Sequence, residues 1–147
     1  MADTYVKFRD FVEQLGLVAH NLNTDTHRVA LVPAANTPVN TNTILANITQ
    51  IANGNGYTTL GEDAQNTWAE ATGTATLTAT AITWTSSGAG MAAFQHCVYY
   101  ANQSTVLVNP LICFWSRAAG ALTLAVGETF TIKFNSLTGA QTVFTLT

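Results

Sequence analysis

The residues able to do chemistry are few in this chain, and their spacing argues against most of it. His20, His27 and His96 fall in three different segments. None has a second ligand at metal-site spacing, and no Asp-rich loop of the calcium type is present, so neither a metal nor a cofactor is expected. His96 and Cys97 are neighbours, but adjacent residues on a strand point to opposite faces and do not make a base and its nucleophile. After Asp25 the only acids are Glu62, Asp63, Glu70 and Glu128, and nothing in their spacing suggests a carboxylate pair of the glycosidase kind. Asn53-Gly54-Asn55-Gly56 lacks the Lys-Ser or Lys-Thr that completes a phosphate-binding loop and reads as a tight turn. The sequons Asn47-Ile48-Thr49 and Asn102-Gln103-Ser104 would matter only in a secreted eukaryotic chain, a setting nothing here suggests. No catalytic residue is predicted, and the expectation is a protein that is not an enzyme.

The two cysteines leave two readings open. In a reducing cytoplasm Cys97 and Cys113 are small buried hydrophobes. Alternatively they form a thiol pair: they flank a loop centred near Thr105, and a hairpin symmetric about that point sets them directly across from one another, close enough for a strained disulfide.

The elements that would position such residues follow from composition and period. At 147 residues the chain is one ordinary domain, spanning 1–147. It is 48% hydrophobic but only 9% charged, against about 25% charged in an average soluble domain, so its polar surface must come from Thr, Asn, Ser and Gln. Neutral polar surfaces pack against copies or neighbours at lower desolvation cost than charged ones. That suits life inside an assembly, although a lightly charged soluble protein is the plainer reading. A net charge of −3 with five scattered Lys and Arg predicts no nucleic-acid partner. The N-terminus MADTYVKFRDFVEQ carries Asp3, Asp10 and Glu13 and no apolar run, and no later run is long enough to span a bilayer. Synthesis in a cytoplasm and no membrane partner are expected.

Tyr5, Phe8, Phe11, Val12 and Leu15 recur at three-and-four spacing and predict an amphipathic N-terminal helix within residues 4–20, with Gly16 placed to end it. A strand His27 to Val32 follows, closed by Pro33. Residues 34–60 are rich in Asn, Thr, Gly and Pro, with one apolar piece spaced as Ile44, Leu45, Ile48 and Ile51. They read as a long irregular arm. From Thr67 onward the period is two, and candidate strands are Thr67 to Ala71, Thr74 to Thr80, Ile82 to Thr85, Phe94 to Tyr100, Leu111 to Ser116, Leu122 to Ala125, Thr129 to Phe134 and Thr142 to Leu146. Many short strands predict a mainly β chain, a β-sandwich or jelly roll whose core is residues 67–147, with one N-terminal α-helix and the arm appended. In the second of these strands Thr74, Thr76, Thr78 and Thr80 share one face and Leu77, Ala79 and Ala81 the other; then the phase slips, and Ile82 and Trp84 regain the apolar side. A bulge, or a crossing between sheets, accounts for the slip. The aromatics Trp84, Phe94, Tyr99, Tyr100, Phe114, Trp115, Phe130, Phe134 and Phe144 are expected in the sandwich core, although a glycan-binding platform would use the same residue types.

The segment FQHCVYYANQSTVLVNPLICFWSRAAGALTLAVGETFTIKF resembles a family of small structural proteins of tailed bacteriophages. The matching pieces are Val98 to Asn102, Leu111-Ile112, Leu122 to Leu124 and Gly127-Glu128-Thr129-Phe130-Thr131. Earlier pieces are similar too: the segment with Phe8, Phe11 and Val12, then Arg28-Val29-Ala30-Leu31, then Asn53 to Thr58. The chain departs from that pattern at Ala81, where an acid is common, and at Gln95, where a basic residue is common. What the resemblance implies is a virion component, a decoration or cement protein on the capsid surface, with the major capsid protein and copies of itself as partners. The alternative is a tail or fibre-like surface module binding host glycans. Interface candidates are Tyr5, Phe8 and Phe11 on the helix, Ile44, Leu45 and Ile48 on the arm, and, as a weaker choice, Thr74, Thr76 and Thr78 on the threonine face.

Overall fold

The computed structural model describes residues 4–103, 106–134 and 141–147. Asp3, Ser104 and Thr105, which entered the sequence argument, lie outside them. In chain order the elements are β1 (Thr4–Lys7), α1 (Arg9–Gly16), β2 (His27–Val32), β3 (Glu62–Asp63), β4 (Thr67–Ala71), β5 (Thr74–Ala79), β6 (Ile82–Thr85), β7 (Met91–Phe94), β8 (His96–Ala101), β9 (Leu111–Ser116), β10 (Leu122–Leu124), β11 (Thr129–Ile132) and β12 (Gln141–Leu146). Short 3-10 turns at Ala34–Asn36 and Leu45–Asn47 interrupt the arm. The chain is mainly β, as its period-two pattern predicts, and every pairing between named strands is antiparallel.

One layer is a five-stranded sheet in the order β1-β9-β8-β2-β3. Against it packs a second layer built from β12-β5-β4, β11-β6 and β10-β7. The phase slip after Thr80 is a change of partner. β5 pairs with β4 and β12, whereas β6 pairs with β11. Thr80 and Ala81 belong to neither strand, and the Thr80 amide donates to the Ala64 carbonyl at 2.9 Å. Leu77 and Ala79 before the break and Ile82 and Trp84 after it are all buried. Two residues of irregular backbone thus let one run of sequence serve two ladders while keeping its apolar side inward.

The five-stranded sheet is buried on both faces. β8 alternates Cys97, Tyr99 and Ala101 toward the core between the layers with Val98 and Tyr100 toward a second core on the far side. β2 does the same with Val29 and Leu31 against Ala30 and Val32. The second core is closed by Phe8 from the β1–α1 junction and by Leu45 and Ile48 from the arm. The arm therefore does not extend from the molecule; it folds back as the lid of its own sheet. The Leu45 amide donates to the Asn109 carbonyl at 2.9 Å and the Leu111 amide to the Thr43 carbonyl at 3.0 Å. Further on, the Ile51 amide donates to the Leu31 carbonyl at 3.0 Å, and the Tyr57 hydroxyl accepts from the Leu31 amide while donating to Gln50.

The N-terminal helix is shorter than its apolar spacing predicts. Tyr5 to Lys7 form a strand on β9, with Tyr5 opposite Trp115 and Lys7 opposite Cys113. The spacing from Tyr5 to Phe8 fits a helix, but a ladder position on β9 is taken instead, and Val6 and Phe8, two apart, turn to the same core. The helix ends at Gly16, as its placement predicts, with Leu17 as the C-cap, and the reversal falls on exposed Val18 at φ 60°. A β-branched residue is strained there. Asn at this position is expected to raise stability by roughly 1 kcal/mol; an unchanged or lower melting temperature for V18N would show that the strain is absent.

Two glycines carry the opposite constraint. At Gly61 (φ 68°) a Cβ would lie 1.8 Å from the Val29 carbonyl oxygen, and at Gly73 (φ 82°) it would meet nothing within 4 Å. G61A is expected to cost about 3 kcal/mol or more and G73A about 1 kcal/mol. Urea denaturation of both variants checks the difference.

Candidate interaction surface

Strand register collects the threonines onto one open face. Thr67, Thr78 and Thr142 form a row across β4, β5 and β12; Ala69, Thr76 and Thr145 form the next; Ala71 and Thr74 close it. Side chains of directly paired residues share a face, and the opposite face of β5 carries buried Leu77 and Ala79. No charge stands on this face, because Glu70 alternates to the other side and turns back to accept from the Gly73 amide at 2.7 Å. Thr74, Thr76 and Thr78 are half-buried, while Thr67, Ala69, Ala71 and Thr145 are exposed. The result is a neutral, β-branched surface whose burial would desolvate hydroxyls but no ions.

The other interface candidates are placed differently. Phe8, Phe11, Leu45 and Ile48 are buried, at 7% exposure or less, in the chain's own two cores. They are apolar because they close those cores, and they are not available to a neighbour. Ile44 is half-buried and bridges to Pro110. Tyr5 is 42% exposed, its ring 5.7 Å from that of Trp115. Of the aromatics expected in the sandwich core, Tyr100 and Phe114 belong to the second core instead. Sequence pattern does not single out Arg117 and Lys133, yet they line one cavity with Tyr5 and Trp115. The only signal for Arg117 was its alternation with Trp115, which places both on one side of the extended chain.

No disulfide joins the cysteines, and both thiols are buried. The β8–β9 hairpin pairs Cys97 with Trp115 and Tyr99 with Cys113, so the two sulfurs sit on a diagonal rather than across the ladder. A hairpin symmetric about residue 105 requires Cys97 opposite Cys113; the observed register is displaced by one alternation. Burial holds the Cys113 thiol well above its ordinary range, so it stays protonated.

The histidines are packing residues. His27 Nδ1 is 3.1 Å from the Tyr99 hydroxyl, and His96 Nδ1 is 2.8 Å from Ser116 Oγ. His20 packs edge-on against Phe11, with neither ring nitrogen hydrogen-bonded. Burial lowers all three: His27 to about 3, with the nearby His20 charge adding to the effect, and His20 to about 4 against the opposing pull of Asp10. Among the described residues no group of three His, Cys, Asp or Glu side chains converges, and no helix is long and apolar enough to cross a membrane.

No family model, curated protein or solved structure matches the chain.

The depressed histidines set the acid limit of the fold. Between the unfolded value near 6.5 and the folded values, the unfolded chain binds more protons, so stability is fully present above about pH 6.5 and lost as pH falls toward 4 and 3. A loss of about 3 kcal/mol from His20 and about 5 kcal/mol from His27 is expected over that range. His20→Phe should flatten the decline by roughly half, and an unaltered pH profile of melting temperature would contradict this origin.

Proposed function

We propose that the chain is a non-enzymatic structural protein of a bacteriophage virion, a capsid decoration or cement protein that seats on the outer shell and on copies of itself. The observation that carries this reading is the uncharged threonine and alanine face spread over β4, β5 and β12. A flat face of this kind loses little on desolvation and gains wherever a complementary surface covers it. The resemblance of Val98 to Thr131 to phage structural proteins points the same way, as does the scarcity of charge. A protein that binds only the assembled shell stabilises it by mass action, with no chemistry required.

The reading as a tail or fibre-like module that binds glycans has less behind it. A sugar platform needs rings presented flat to solvent, and Tyr5 is the one aromatic among the exposed large hydrophobic residues described.

The test is location and effect. In virions that carry the chain, an antibody fragment raised against it is expected to label the head shell in electron micrographs, and particles stripped of it should release their genome at lower temperature. Label confined to the tail, or an unchanged release temperature, would remove the cementing role. Thr76→Lys, which places a charge in the middle of the face, is expected to weaken rebinding to stripped particles about tenfold while leaving the melting temperature of the free protein within a few degrees.

A further inference from the structure

A cavity of about 530 Å³ opens at the side of the sandwich, where β1 and β9 of one layer approach β11 of the other. One wall consists of five consecutive residues, Phe130 to Phe134, of which Phe130, Thr131 and Ile132 belong to β11. Side chains alternate along a strand, so three in a row line one cavity only if it runs along the strand's backbone edge.

Hydrogen bonding agrees. The Ser86 amide donates to the Glu128 carbonyl at 2.9 Å, and the ladder continues with Phe130 opposite Trp84 and Ile132 opposite Ile82. Alternation then turns the backbone groups of Phe130 and Ile132 toward β6, and those of Thr131 and Lys133 outward into the cavity. β11 has no strand on that side among the described residues. The Thr131 side chain is not what faces the cavity, because its hydroxyl is engaged 2.7 Å from that of Thr83 on the outer surface.

The opposite wall is aromatic, made by Tyr5 and Trp115, with Phe134 5.4 Å from Trp115 at one end. Two of the five cations in the chain, Arg117 and Lys133, line the cavity, and among the described residues no acid does. Arg117 spends one donor on the Gly120 carbonyl at 2.7 Å, which holds its guanidinium at the rim. On a chain of net charge −3 this is a local reversal of sign.

We propose that this cavity is a strand-docking groove: an extended segment of another polypeptide, apolar at alternate positions and carrying a carboxylate, pairs with the outer edge of β11, seats its side chains on Tyr5 and Trp115, and places its carboxylate between Arg117 and Lys133. Main-chain pairing supplies affinity that is indifferent to sequence, and the pocket and cations supply the selection. Four to five residues of partner fill the groove, since five residues at extended spacing span about 14 Å. The inference goes beyond the cement reading and does not rest on it, because the edge and the charge are there wherever the protein works.

The probe is the peptide acetyl-Thr-Val-Thr-Val-Asp with a free terminal carboxylate, added to the full chain. Backbone resonances of Thr131 and Lys133 are expected to shift, Trp115 fluorescence to change, and binding to exceed that of acetyl-Thr-Val-Thr-Val-Lys-amide by about tenfold. Methylating the peptide's alternate backbone nitrogens should abolish binding. R117Q combined with K133Q should weaken the acidic peptide about tenfold, with the melting temperature reporting whether the variant is folded. Equal binding of the acidic and basic peptides, undiminished binding of the methylated peptide, or phenylacetate binding as tightly as the peptide would each overturn the proposal, the last by making the cavity a small-anion site. So would self-association of the free protein in sedimentation with the Thr131 amide protected, which assigns the edge to a second copy. None of these arms touches the threonine face, so failure here leaves the capsid reading to its own test.

Discussion

Tyr99 and Tyr100 leave β8 in opposite directions, and both end completely buried. A sheet with apolar side chains on both faces is unstable until both faces are covered, and much of the rest of the molecule answers to that constraint. One face is covered by the second β layer. On the other no second sheet lies among the described residues, and the chain covers it with the β1–α1 junction and the arm. Leu45 is held down by its amide's bond to the Asn109 carbonyl in the β8–β9 connection on one side, with the Ile48 amide bonded back to the Leu45 carbonyl, and Tyr57 is bonded to the edge of β2 on the other. Arg28 and the Tyr100 hydroxyl both reach the Leu60 carbonyl, the latter at 2.6 Å, and Arg28 bonds Gly61 as well. The close approach of Gly61 to Val29 is part of the same closure.

A chain with so few charges satisfies its irregular backbone with neutral side chains. Asn66 accepts from the His27 amide and donates to the Leu22 and Asp25 carbonyls, tying the start of β2 to the loop before it. Asn47 accepts from the Thr43 and Ile44 amides within the arm. Buried Ser86 accepts from the Met91 amide and donates to the Leu124 carbonyl, joining β6, β7 and β10 at one point. These short side chains stand in for ladder bonds where the strands change partner. What they leave outside is a surface nearly free of ions, broken by a few local concentrations such as Arg117 and Lys133.

The same architecture explains why the two proposed contact sites are a face and an edge. Two layers of unequal width leave open strand edges at their sides, and an open edge is a template for another chain unless something covers or repels it. β4 presents alanines and threonine beside an uncharged face, and β11 presents its backbone to an aromatic groove. Neither requires a reacting group, which fits a chain whose histidines and cysteines are used for packing.

Alternation and turn residues in the sequence were enough to locate β2, β4, β6 and β9 to the residue, the tight turn at Asn55-Gly56, and the change of phase after Thr80, because period two and backbone sign are local properties. The threonine face was legible for the same reason. Layer assignment was not. An apolar residue looks the same whether it closes its own core or seeks a neighbour, so Phe8, Phe11, Leu45 and Ile48 read as contacts until the two cores were seen. Register was also out of reach: a displacement of one alternation keeps every side chain on its face, leaves the pattern unchanged, and moves Cys97 away from Cys113. The groove beside β11 joins residues from β1, β9 and the last strands, and only the packing of one layer's side against the other's brings Tyr5, Trp115, Arg117 and Lys133 to the same cavity. Local periodicity decides which way a side chain points; what it meets there depends on non-local packing, which that local pattern does not encode.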